Sequence, residues 1–257
     1  MSNKLKEKLH NKECLQKELD EVLKSNLTDF LNSTHNKKEE ATGSMKFTAF
    51  AGVFLLSTIG FLYLSGANTE TFLGKIILML SLFWTTILLL SGKSWMSNSR
   101  LLSREMNMAL SPIITNTLDK MVMYTYDDIK TDDVKEALNK SNVLGSPIKK
   151  LVSNDRYYLY GNQECVFHEV KASSEGKNFS GVFAVLPVPG VGDTEILLEG
   201  DMEYRVLDGV LYVLLPNHSI SINVSLASTK PEAINRYAMD AMLPIWHSLM
   251  LAEELRA

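Results

Sequence analysis

The side chains that most often carry out catalysis or bind metals are few in this chain, and they are scattered. The two cysteines, Cys14 and Cys165, stand far apart without a CxxC motif, which favours free thiols in a reducing compartment. No two histidines have the spacing of helical zinc ligands. We therefore predict no catalytic residue, no metal site and no cofactor. The five histidines are His10, His35, His168, His218 and His247.

Two further patterns have a chemical interpretation. His168 and Glu169 are adjacent in an apolar run typical of a strand, so their side chains should project from opposite faces. The segment VPGVG at 188–192 lacks a following Lys-Ser/Thr and is typical of a turn rather than a phosphate loop. The best candidates for a binding cluster are Asp155, Arg156, Tyr157 and Glu169, although a structural turn with a local ion pair explains the same residues.

These candidates lie among short β-like runs separated by turn residues. Val, Ile, Leu, Phe and Tyr dominate the runs, and Asn, Gly, Asp or Pro occupies each gap. A capped helix from Thr131 precedes them, and Pro231 begins a helix that continues to the C-terminus. The pattern predicts an α+β fold with an antiparallel sheet, strongly curved or barrel-like, closed by the C-terminal helix. The runs span 157–161, 165–172, 179–188, 194–200, 203–207, 210–216 and 219–226.

Two long uncharged runs precede this region. One covers 47–69, and the other fills the 17 positions between Lys75 and Lys93. The strongly apolar part of the first run, 47–64, has 18 residues and the second run has 17, close to the roughly 20 that a helix needs to cross a bilayer. Both are apolar around the whole circumference, whereas a helix in a soluble core usually keeps one polar face. We predict a transmembrane hairpin with helices at about 47–65 and 74–92.

Charge predicts the orientation of this hairpin. The connector between the helices offers only Lys75, whereas basic residues flank the other ends. The positive-inside rule then places both termini in the cytoplasm and the hairpin in the cell's inner (cytoplasmic) membrane. Residues 94–257 hold 15 basic and 21 acidic residues, which argues against nucleic-acid binding. The flanking basic residues are Lys37, Lys38, Lys46, Lys93, Arg100 and Arg104.

The predicted organisation has four parts. Residues 1–45 comprise an amphipathic helix over 3–32 and a polar linker, 46–93 the hairpin, 94–130 a helical connector, and 131–257 the cytoplasmic domain. The leucines of 3–32 follow a helical period without sustained heptads. This helix and the hairpin are the predicted sites of self-association or of contact with a protein partner. Docking of the helix on its own chain or on the membrane surface remains an equal alternative.

The order of short motifs after the hairpin resembles a bacterial membrane-protein family known only as a domain of unknown function, number three thousand one hundred and thirty-seven. The resemblance covers most of 95–257 and implies two transmembrane helices followed by an α+β cytoplasmic domain. The chain is shorter than the family pattern between Phe183 and Gly209, and the family supplies no catalytic residues. The matching features are a capped helix ending at Ser141, Asp155-Arg156-Tyr157 with Gly161, Glu169, Phe179-x-Gly181-x-Phe183, and Gly209-x-Leu211-Tyr212 leading to Pro216.

These features favour a membrane-anchored, non-catalytic binding or scaffold module. The alternative is an oligomeric channel or membrane-perturbing effector. That alternative is weakened because neither uncharged run contains an ionisable group in the bilayer. A membrane enzyme is the least favoured class, because it would need convergent acid, base or nucleophilic groups.

Overall fold

Two long helices form the first part of the chain. The structure, a computed structural model, describes residues 12–66, 71–118, 121–126, 131–160, 164–221 and 231–257. Helix α1 spans Lys12–Ser65 and helix α2 spans Phe72–Leu118. Residues 32–45, predicted as a polar linker, are helical within α1. Side chains one turn apart can stabilise this polar part of the helix. For example, His35 Nε2 lies 3.4 Å from Glu39 Oε1.

The two helices contain stretches long and apolar enough to cross a membrane, as the sequence predicts. The stretches are Lys38–Ser65 and Phe72–Met108, with 28 and 37 residues. Only 6% and 11% of the residues in their most apolar windows are buried. A helix from the core of a soluble protein would be mostly covered.

Contacts between these stretches define an antiparallel pair. Asn98 Nδ2 donates a hydrogen bond to Ser44 Oγ at 3.0 Å. Farther along, the rings of Phe54 and Trp84 lie 4.9 Å apart. A methyl group built on Gly52 would lie 3.8 Å from Leu88 Cδ1. The chain divides into two compact units, of which Leu31–Glu105 contains this hairpin, and Met1–Phe30 with Met106–Ala257 contains the sheet.

The second unit is built on one antiparallel sheet of seven strands in the order β1-β2-β3-β4-β7-β6-β5. Helix α3, Thr131–Ser141, lies between β1 and β2, and helix α4, Pro231–Glu254, follows the last strand. The register shifts between Ser153 and Asp155, which marks an irregularity in β2. The strands are β1 Met121–Tyr126, β2 Lys150–Tyr160, β3 Cys165–Ser173, β4 Asn178–Pro187, β5 Leu197–Glu199, β6 Met202–Leu207 and β7 Val210–Pro216.

The sheet is open, so the expectation of a barrel is wrong. Strands β1 and β5 stand at opposite ends of the order, and no pairing joins them among the described residues. Closure of a barrel requires the two end strands to pair along a continuous register. Strand β5 has only three residues, which is too few to provide that pairing.

Both faces of the sheet are buried. On one face, Val170, Phe183 and Leu214 pack with Val134 and Leu138 of α3. On the other face, Phe167, Ala184 and Val213 are aligned across β3, β4 and β7 and are fully buried. Helix α4 contacts β4 and β7. Apolar residues therefore occupy consecutive positions of the central strands instead of strictly alternating with polar ones.

The sequence missed strand β1, which lies inside the predicted helical connector 94–130. Helix α2 continues past Pro112 to Leu118, and β1 then pairs along β2 from Met121 to Tyr126. Strand β2 also begins at Lys150, before the predicted run at 157. Of the predicted strand 219–226, residues 219–221 are not a strand, and 222–226 lie outside the described residues.

Candidate functional site

The structure separates the predicted binding residues between two faces of the sheet. In the β2–β3 register, Arg156 is opposite His168, and Tyr157 is opposite the buried Phe167. Because neighbouring strand residues project from opposite faces, Arg156 cannot share a face with Tyr157. The backbone of Asp155 pairs with Glu169, and the side chain of Asp155 lies outside the described part.

A cationic and aromatic cluster forms around Arg156. Its Nε donates a hydrogen bond to His168 Nδ1 at 3.2 Å, and its Nη1 donates to the hydroxyl oxygen of Tyr158. The guanidinium also lies over the Tyr158 ring, 5.3 Å from its centre. Such cation–π packing adds to the hydrogen bonds. These contacts hold the guanidinium between His168 and Tyr158 on one face of the sheet.

His168 extends the cluster into the core. Its side chain is buried, and its ring stacks on Phe183 with centroids 6.3 Å apart. Burial, reinforced by the nearby Arg156 charge, lowers the pKa of His168 to about 3. The imidazole is therefore neutral near pH 7 and accepts a hydrogen bond from Arg156. A general acid or base needs a pKa near the working pH, so this geometry suits a structural role.

Glu169 anchors the segment that follows β7. Its Oε2 accepts hydrogen bonds from Ser219 Oγ at 2.6 Å, Ser221 Oγ at 2.9 Å and Ser221 N at 3.2 Å. The carboxylate thus satisfies three donors of one turn and ties it to β3. Among the described residues, serine groups are the partners of this carboxylate and no histidine joins them. A serine needs an adjacent base and an orienting third group to become a nucleophile.

A second polar cluster fastens α3 to the β6–β7 hairpin. Lys140 Nζ lies 3.1 Å from Asp208 Oδ2, and this contact raises the pKa of Lys140. Arg205 Nη1 donates to the carbonyl oxygen of Ser141 at 3.0 Å. Both cations lie at the C-terminal end of α3, where the helix dipole favours positive charge. Burial raises the pKa of the neighbouring Tyr212.

Some of these contacts have a signal in the sequence, and others have none. The separation of His168 from Glu169 follows from strand alternation, as predicted. The pairing of Arg156 with Tyr158 follows the same rule, because residues two apart share a face. Nothing local indicates that Ser219 and Ser221 meet Glu169, some 50 residues earlier in the chain.

Among the described residues, no group of three His, Cys, Asp or Glu side chains could hold a metal ion. No protein-family model, curated protein or solved structure matches the chain. The resemblance to the family of unknown function therefore stays a prediction.

Proposed function

We propose that this protein is a membrane-anchored binding or scaffold module, without catalytic activity, at the cytoplasmic face of the inner membrane. One observation carries the proposal. The chain contains two different units. One is a helix pair with exposed apolar side chains, and the other is built on a sheet that is buried on both faces. Exposed apolar helices of this length need a bilayer, whereas the buried sheet does not.

The helix register supports a common membrane boundary for the two spans. With Ser44 bonded to Asn98 and Gly52 beside Leu88, Lys46 and Lys93 stand within about one helical turn of the same level. Uncharged residues alone lie between this level and the connector end near Lys75. We place the cytoplasmic headgroups at the level of the two lysines, with both termini on that side.

The hydroxyl groups in the spans favour an anchor over a channel. Thr58 Oγ1 donates to the carbonyl oxygen of Phe54 at 2.8 Å, and Thr85 Oγ1 donates to that of Ser81 at 2.7 Å. Such bonds within one helix satisfy polar groups in hydrocarbon without a water-filled path. The same pattern holds for Ser57, Ser81 and Thr86.

We further propose that α4 covers the sheet face opposite α3. Ala241, Ile245 and Leu249 recur along α4 at helical spacing and are buried. Arg256, just beyond the helix, donates a hydrogen bond to the carbonyl oxygen of Pro187 at the end of β4. A domain completed in this way leaves its loops and sheet edges for partners.

Photo-crosslinking of the full chain in its native membrane tests the binding function. A photoreactive residue replaces Glu136, Glu164 or Glu195 on the domain, or Ala67 in the connector as the matched control. We expect an adduct of one defined mass from at least one domain position and none from Ala67. Absence of adducts from every domain position, or adducts that contain only second copies joined through the hairpin, would overturn the proposal.

A further inference from the structure

Within the part of the chain that the structure describes, strand β5 leaves an apolar edge of the sheet open. It is the last strand of the order and pairs there with β6 alone. The side chains of Ile196, Leu197 and Leu198 are 39%, 41% and 75% exposed. An exposed strand edge with adjacent apolar side chains is a template for another strand.

The hydrogen-bond pattern shows which backbone groups are available there. A two-residue turn, Gly200-Asp201, joins β5 to β6, and Gly200 has a φ of +62°. Glu199 and Met202 close this turn as the hydrogen-bonded pair, as in two-residue hairpins. In an antiparallel ladder such pairs alternate with non-bonded ones, so Leu198 opposite Glu203 belongs to a non-bonded pair. The N–H and C=O of Leu198 therefore point away from β6, toward the open edge.

Acidic side chains surround this edge. Glu195, Glu199 and Asp201 are exposed. Lys177 Nζ is bound by Glu203 of β6, and His218 Nδ1 lies 3.9 Å from Asp201 Oδ2. This leaves Glu195 and Glu199 as the acidic groups open to a partner. Two such edges from separate copies would bring like charges together, which disfavours self-pairing. The acidic side chains also disfavour contact of this edge with an anionic membrane surface. A basic partner is complementary.

We propose that β5 binds an extended partner segment in which basic and aliphatic residues alternate, by adding it as an eighth strand. Leu197 and Glu199 share one face of β5, and Leu198 projects from the other. Alternation lets lysine or arginine approach the glutamates on one face while aliphatic residues cover Leu198 on the other. The inference rests on the proposed binding function and names the chemistry of its partner.

Peptide binding to the full chain in a non-ionic detergent tests the edge. The probe is a fluorescent heptapeptide that alternates lysine and valine, and the control alternates glutamate and valine. We expect saturable binding of the basic peptide, measured by anisotropy, and none of the acidic one. Added salt should weaken the binding because it screens the exposed carboxylates.

Substitution at Leu198 distinguishes strand addition from nonspecific binding of the peptide. Leu198→Pro removes an N–H that faces solvent, a position where edge strands tolerate proline. It should weaken peptide binding by about fivefold or more, since a backbone bond to the partner is lost. Leu198→Thr keeps the N–H and serves as its control. An unchanged unfolding temperature shows that each variant is folded.

Charge variants give a second readout that does not depend on proline. The double change Glu195→Lys and Glu199→Lys should lower the affinity for the basic peptide about tenfold at low salt. The binding should then no longer depend on salt. Glu164→Lys, an exposed change away from β5, should leave both unchanged. Equal binding of the peptide to all variants would overturn the inference, as would a change in oligomeric mass with Leu198→Pro. If photo-adducts form at Glu136 or Glu164 but not at Glu195, the binding function stands and the edge inference fails.

Discussion

At the scale of single residues, burial decides what the polar groups do. His168 and Arg156 form a hydrogen-bonded pair, but the imidazole is enclosed beside Phe183 and stays neutral. Glu169 is used by the turn after β7. The sequence identified Arg156 and Glu169 as polar groups of interest, but the type of a residue does not reveal whether its partners are internal.

The depressed pKa of His168 makes stability depend on pH. Between the ordinary value of 6.5 and the folded value of about 3, the unfolded chain binds the proton and the folded chain does not. Stability is therefore full above 6.5 and falls as the pH drops through this window, by about 1.4 kcal/mol per unit. The advantage of the native chain over His168→Gln should shrink by about 2 kcal/mol between pH 7 and pH 5.

Chemical unfolding in non-ionic detergent, followed by circular dichroism, measures this difference. His35→Gln is the control, because the side chain of His35 on α1 is 63% exposed and stays in contact with water. If the unfolding free energies of the native chain and His168→Gln differ by the same amount at pH 7 and at pH 5, the lowered pKa of His168 is contradicted.

At the scale of elements, local pattern predicts the central strands well and the flanking segments poorly. The runs at 165–172, 179–188 and 210–216 are confirmed as β3, β4 and β7 within two residues at each end. Strand β1 was missed because a short run after a long helix has no turn signal of its own. These residues form a strand because they pair with β2, and that pairing cannot be read from the local sequence.

Gly181 shows how tightly two of these elements approach. A Cβ atom at this position would lie 2.1 Å from the carbonyl oxygen of Leu215 on β7. Because backbone atoms cannot move away cheaply, Gly181→Ala should destabilise the protein by about 3 kcal/mol or more. Gly192→Ala, with nothing within 4 Å, should have almost no effect. Thermal unfolding of both variants measures this, and equal melting temperatures would show that β4 and β7 can separate there.

At the scale of the whole molecule, the proposed orientation predicts which positions reach each side of the membrane. Cys165 is buried, so exposed Cys14 is the native thiol that reports on the N-terminal side. A membrane-impermeant maleimide should label Ala67→Cys in intact spheroplasts, because the proposed orientation puts the connector outside. Cys14 and an added Glu175→Cys should react only after permeabilisation. Labelling of either before permeabilisation would reverse or exclude the proposed topology.

The sequence by itself determined the two apolar helices, their antiparallel connection and the antiparallel β-rich region that follows. These features depend on composition and on periods of a few residues, which local sequence contains. Only the tertiary structure decided that the sheet stays open, that Arg156 and Glu169 lie on opposite faces, and that β5 presents its edge. Those outcomes depend on which distant strands pair and where pairing stops, because strand length and register are set by neighbours far away in the chain.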